Sequence, residues 1–264
     1  MRPPTHPTRS GHALALHGWT IVSLRPRGQH GGLRAAASRH GAHTLALSPY
    51  VIEPLADQDH RTILKQALAA DITVWTSPNA VRAAAALQTL QARADQAWLA
   101  VGSGTRRALQ RAGIQALAPS RMDSEGLLAM PELQDVHGRS IGLVTAPGGR
   151  GMLAPALVER GARVIRADVY ARRSIAFSAR ALTALDAALA SPHRLLLVLS
   201  SQDALQRLLT ERGLGSHASR SDVAVVAASE RLADLARDAG CKRIAVATSA
   251  SPAALLHAAA STFA

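Results

Sequence analysis

Cysteine is nearly absent from this chain. Cys241 stands alone, which excludes an intrachain disulfide framework and any cysteine-built zinc cluster. Aromatic residues make up only 3%, too few for the stacking platforms that hold single-stranded nucleic acid. Long apolar runs are missing as well. Leu195 to Leu199 is the longest clean aliphatic run and is far too short to cross a bilayer. Ala13 to Leu16, flanked by histidine, is too short for a signal-peptide core. The sequence has no His-Glu-x-x-His, no Gly-x-Ser-x-Gly and no acidic metal cluster. Gly102-Ser103-Gly104-Thr105-Arg106-Arg107 lacks the third glycine of a dinucleotide fingerprint and the lysine of a phosphate loop. No metal and no nucleotide cofactor is therefore expected. A reducing cytoplasm is the natural compartment, with neither membrane nor nucleic acid as partner.

What remains is a globular composition, 48% hydrophobic over 264 residues, with room for two domains. Net charge is +12, and only Lys65 and Lys242 are lysines. The arginines are scattered along helix faces. Charge alone leaves open both an anionic partner and a solvated basic surface. Residues 1–18, rich in Pro, His and Arg, read as a disordered basic tail. Of the eleven histidines, His6, His12, His17, His30 and His40 fall in or near that tail.

The chain then says one thing twice. Val74-Trp75-Thr76-Ser77-Pro78-Asn79 is echoed about 125 positions later by Val198-Leu199-Ser200-Ser201-Gln202-Asp203. Val101-Gly102-Ser103-Gly104-Thr105 is echoed by Val226-Ala227-Ala228-Ser229-Glu230. The strand, turn and helix over 21–41 resemble those over 141–161. Each unit is a short apolar run, a hydroxyl-rich turn, an Ala- and Leu-rich helix and a closing glycine: Gly41, Gly113, Gly161 or Gly240. Strands are expected at 21–24, 44–47, 72–75, 98–101, 141–144, 164–170, 195–199, 223–227 and 244–247. A helix start is expected near Asp57 and Asp59. Strands alternating with helices of this length imply an α/β fold with parallel sheets and helices on both faces.

In such sheets ligands bind beyond the carboxyl ends of the strands. The hydroxyl-rich turns sit there, with helix N-termini whose unpaired N–H groups attract anions. Ser77, Asn79, Gly102, Ser103, Thr105, Ser200, Ser201 and Ser229 are candidate ligand contacts on this ground. Each taken alone is equally a helix cap. Tyr170, one of two tyrosines, ends the strand expected over 164–170. A phenol there can donate a proton as a general acid, or simply pack its ring and wet its hydroxyl.

Taken together these residues resemble the uroporphyrinogen-III synthase family, from Gly18 to the end of the chain. The resemblance is carried by Arg25-Pro26, Thr76-Ser77-Pro78-Asn79-Ala80-Val81, Val101-Gly102-x-x-Thr105 and Ser124-Glu125-Gly126-Leu127-Leu128. It continues through Gly148-Gly149-Arg150, Gly161-Ala162-x-Val164 leading to Val169-Tyr170, Ser200-Ser201, Ala228-Ser229-Glu230-Arg231-Leu232-Ala233 and Gly240-Cys241-Lys242-Arg243. Order and spacing carry it, not any single element. The chain departs from the pattern in its basic tail and in Ser-Ser-Gln-Asp at 200–203.

The resemblance implies two doubly wound parallel-sheet α/β domains joined by a two-stranded linker, a bilobal build. Residues 19–47 plus 171–264 would form domain 1, and 48–170 domain 2 with the linker strands. It implies cyclisation of hydroxymethylbilane, a substrate with eight carboxylates, to uroporphyrinogen III, with loss of water and inversion of ring D through a spiro intermediate. It implies a monomer without metal or organic cofactor, with transient contact to the preceding pathway enzyme as an option. Tyr170 matches the family's linker tyrosine, which would assist hydroxyl departure. Arg25, Arg150 and the turn residues above would contact substrate. A non-catalytic two-lobed polyanion-binding protein is the alternative.

Overall fold

The computed structural model describes residues 15–148, 151–214 and 217–264. In chain order the elements are β1 (Thr20–Ser23), α1 (Gly31–Arg39), β2 (His43–Ala46), β3 (Tyr50–Pro54), α2 (Gln58–Leu68), β4 (Ile72–Trp75) and α3 (Pro78–Leu87). They continue with β5 (Ala97–Ala100), α4 (Ser103–Arg111), α5 (Ser124–Leu128), β6 (Ser140–Thr145), α6 (Leu153–Glu159), β7 (Arg163–Asp168) and β8 (Tyr170–Ser174). The last are α7 (Ala179–Leu189), β9 (Leu195–Leu199), α8 (Gln202–Glu211), α9 (His217–Asp222), β10 (Ala224–Ala227), α10 (Glu230–Asp238), β11 (Arg243–Val246) and α11 (Pro252–Phe263).

The chain forms two compact units. One takes its residues from the stretch up to Val51 and from Ser174 onward; the other is Ile52–Arg173. The first holds a parallel sheet in the order β11-β10-β9-β1-β2, the second a parallel sheet in the order β5-β4-β6-β7. Written from one edge, β10-β9-β1-β2 matches β5-β4-β6-β7, with β11 added outside. The blocks that echo each other in sequence therefore hold the same places in the two sheets. The two segments that connect the units, β3 and β8, pair as a separate two-stranded sheet.

Alternation along the strands builds a core on each sheet face. In the first unit Val22, Leu195, Leu197, Leu199 and Val225 pack with Leu185, Leu205 and Leu232 of α7, α8 and α10. Ile21, Leu196, Val198 and Val226 point the other way, to Leu33 and Leu255 of α1 and α11. In the second unit Trp75, Trp98 and Val144 meet Leu64, Val81 and Leu109 of α2, α3 and α4, and the two indoles stack at 5.3 Å between centroids. Ile72, Val74, Ile141 and Leu143 face Leu127 and Leu157 of α5 and α6.

Two expectations need correction. The tail does not extend to Gly18: Leu16 is fully buried beside Trp19 and Leu33, and its N–H bonds the His40 carbonyl at 3.0 Å. Burial of that one leucine orders Ala15–Gly18; residues 1–14 lie outside the described residues. The strand expected over 164–170 is two strands. Val169 N–H still bonds the Thr145 carbonyl of β6, while its own carbonyl accepts from Leu55 N–H just after β3. At Val169 the chain changes partner, so Tyr170 begins β8 instead of ending a sheet strand. The helix start expected near Asp57 and Asp59 is that of α2, which runs eleven residues; Asp57 caps it by accepting from His60 N–H.

A polar clamp fixes the entry to the second sheet. Ser140 N–H and Oγ–H donate to Asp71 Oδ2 at 2.8 and 2.7 Å, and Asp71 N–H donates to Ser140 Oγ at 3.0 Å. These bonds, side chain first and backbone second, hold the Asp71 carboxyl below its ordinary 3.8. A depressed aspartate stabilises the fold above its unfolded value, and that stability is lost as pH falls through the folded value. The melting temperature is therefore expected to fall below about pH 4, and Asp71→Asn to flatten that limb. Thermal scans from pH 3 to 6 check it; equal slopes in both proteins would refute it.

Candidate functional site

The carboxyl edge of the second sheet gathers the first group of hydroxyls. β4 and β6 are neighbours whose connections leave in opposite directions, so their ends form the switch point of a doubly wound sheet. Thr76 Oγ1 donates to Thr145 Oγ1 at 2.8 Å across that point. A cavity of about 30 Å³ between Thr76, Thr145 and Arg166 is of the size that holds water. Pro78 opens α3 where its missing N–H is harmless. Ser77 is the N-cap: its Oγ accepts from Ala80 N–H at 3.0 Å and shares a 3.2 Å hydrogen bond with the Tyr170 hydroxyl. Tyr170 is 3% exposed, with its ring in the core beside Val169 and Ala167. One turn along α3, Asn79 Oδ1 accepts from the Arg82 guanidinium at 2.5 Å. Burial and the nearby Arg111 lower the Arg82 pKa, while the Tyr170 hydroxyl acts the opposite way. An arginine remains charged through such a shift. A fixed cation thus stands within electrostatic reach of the phenol.

The first unit repeats the pattern with variation. Ser200 is exposed at the end of β9, and Ser201 caps α8 by accepting from Ala204 N–H at 3.4 Å. On the adjacent β10 edge, Ala228 N–H bonds the Leu199 carbonyl, which brings the β9 and β10 turns side by side. Ser229 is the exposed N-cap of α10 and makes no side-chain cap bond. Its counterpart Gly102, before α4, has no side chain with which to cap. So in each unit the helix after the first echoed strand is capped by serine, and the helix after the second is not. Gly102 also sits tight: a Cβ there would lie 3.0 Å from Met122. Ser103 is half-buried and Thr105 fully buried at 2%, which turns Thr105 into packing instead of a surface hydroxyl.

Arg25, half-buried at the end of β1, donates to the Ala250 carbonyl at 3.1 Å. Arg150 lies outside the described residues. An open groove of about 400 Å³ runs along α8 past Gln202, Gln206, Arg207 and Thr210. It borders the Ser201 cap without including it. Among the described residues, no three His, Cys, Asp or Glu side chains are placed to hold a metal, and no helix is long and apolar enough to cross a membrane.

Within the second unit the fold thus brings Ser77 to Tyr170 and stations Asn79 beside Arg82. Within the first it sets Ser200 and Ser201 next to Ser229. Sequence reasoning missed Thr145, Arg82 and His30. Thr145 reads as part of the Ala-Pro-Gly turn. Arg82 is one of 28 arginines. His30 hides among the tail histidines, although its place just before Gly31-Gly32 marks a helix start.

Fold and edges together define a repeated, doubly wound α/β protein with anion-attracting strand ends. The family model of uroporphyrinogen-III synthase HemD matches residues 32–257. The chain is 36% identical over 175 residues to the uroporphyrinogen-III synthase of Salmonella typhimurium, and 32% identical over 174 residues to that of Escherichia coli. Each match covers 61% of this chain and 65% of the relative's length. Two solved structures share the fold. Uroporphyrinogen III synthase of Thermus thermophilus, in a mutant form, has a TM-score of 0.56 at 22% identity and covers 91% of this chain and 96% of its own. The Helicobacter pylori uroporphyrinogen-III synthetase has a TM-score of 0.57 at 14% identity and covers 92% and 98%. The chain belongs to the uroporphyrinogen-III synthase family.

Proposed function

We propose that this chain cyclises hydroxymethylbilane to uroporphyrinogen III, with its two compact units as the two domains, acting as a monomer in the cytoplasm. The observation that carries the reading is the Tyr170 hydroxyl bonded to Ser77 at the N-terminus of α3. The terminal hydroxyl of the substrate takes a proton from Tyr170 and leaves as water, and an electrophilic azafulvenium cation remains, paired with the phenolate. The substituted carbon of ring D then attacks, the spiro intermediate fragments, and the macrocycle closes with ring D inverted; the proton released from carbon at closure returns to the phenolate. The substrate closes spontaneously to the unrotated isomer, so holding the right conformation before water departs is most of the task. Carboxylates on the substrate suit Arg25, Ser103, Ser200, Ser229 and the side-chain-uncapped ends of α4 and α10.

The test is direct. Hydroxymethylbilane is supplied to the purified protein and the oxidised products are separated. Isomer III is expected in excess, formed faster than the uncatalysed closure. Isomer I alone, at the rate seen without protein, would leave the alternative of a non-catalytic polyanion-binding protein.

A further inference from the structure

The buried histidine His30 stands outside this scheme. His30 is 7% exposed, shares a 2.8 Å hydrogen bond from Nδ1 with Ser23 Oγ, and another of 2.8 Å from Nε2 with Ser48 Oγ. Ser23 ends β1 and is itself fully buried. Ser48 lies between β2 and the crossing strand β3. His30 occupies the N-cap of α1, where Ser, Thr, Asp and Asn are favoured, yet it makes no cap bond. A residue poorly suited to the helix end is thus committed to a bridge. Burial first, then Arg34 and Arg25, lower its pKa and keep the ring neutral, with one nitrogen donating and the other accepting.

The bridge encloses the loop that carries Arg25. That loop is also tied at Arg27, whose N–H bonds the Tyr50 carbonyl at 3.0 Å, and folds on itself through Gln29 N–H to the Pro26 carbonyl at 2.9 Å. We propose that His30 is a positioning residue: it locks the 24–30 loop between the end of β1 and the chain entering β3, so that Arg25 is held ready for a substrate carboxylate. The inference rests on the proposed reaction for its ligand and on geometry for the brace. Holding a binding group in place acts on ground state and transition state alike, so its loss falls on KM and not on kcat.

The experiment compares His30→Ala, His30→Gln and Ser48→Ala with the wild type. Loss of the Ser48 bond, alone in Ser48→Ala and together with the Ser23 bond in His30→Ala, is expected to raise KM for hydroxymethylbilane at least about fivefold, with kcat within about twofold. His30→Gln, long enough to reach Ser48, recovers part of the loss. Hydrogen exchange at the Arg27 amide is expected to quicken in both alanine variants. KM unchanged in both, or kcat falling in step, overturns the proposal. Should the wild type make only isomer I, the reaction itself is wrong, and the exchange arm decides alone: faster exchange at Arg27 upholds the brace, unchanged exchange removes it.

Discussion

Tyr170→Phe is expected to lower kcat for isomer III by about a hundredfold while leaving the fold in place, because it deletes the proton donor and costs the structure only the bond to Ser77. The ring keeps its packing in the core of the second unit. Ser77 keeps its bond to Ala80 N–H, so the α3 cap survives. The stability cost is that of one partly buried hydrogen bond, about 1 kcal/mol. Turnover and thermal unfolding, measured on the same preparation, separate the two effects. A kcat within about twofold of wild type would remove Tyr170 from the chemistry and leave it as a core residue.

The second large effect lies away from any ligand. Gly142 sits in the middle of β6, under α2, and a Cβ built there would lie 1.9 Å from the Ala67 carbonyl oxygen. Both partners are backbone and cannot rotate away, so helix and strand must separate. Gly142→Ala is expected to destabilise the second unit by about 3 kcal/mol, the upper end for overpacking. Denaturant unfolding followed through Trp75 and Trp98, both in that unit, reads it. Gly31→Ala is the control: nothing lies within 4 Å of its Cβ, and alanine is the better helix former. A shift below about 1 kcal/mol in Gly142→Ala would mean that α2 yields more easily than its packing implies.

The repeat was readable because local chemistry writes it. Apolar runs of four or five residues become buried strands, and serine before proline becomes a helix cap, whatever surrounds them. Closing glycines at Gly113 and Gly240 do adopt positive φ, 81° and 90°, as a helix end requires. The echoes mark equivalent strands, and equal blocks do take equal places in the two sheets, but the order itself is read only from the structure. Ser77, Ser201 and Ser229 could be chosen as candidates by their place at strand ends alone, whereas Arg25 comes from the family resemblance.

Other features have no local signature. Val169 and Tyr170 continue an apolar-polar pattern without a break. Only the pairing of β8 with β3 in place of β6 moves Tyr170 onto the crossing strand. Thr105 looks like its hydroxyl neighbours until α4 turns it inward. His30 finds Ser23 and Ser48, seven and eighteen positions away, because the parallel pairing of β1 with β2 brings both to one edge. Composition, periodicity and caps determine which strands and helices form and which turns could meet an anion. Register and strand exchange, set by long-range backbone pairing and by the volume left between packed layers, decide which of those side chains touch one another and which are buried.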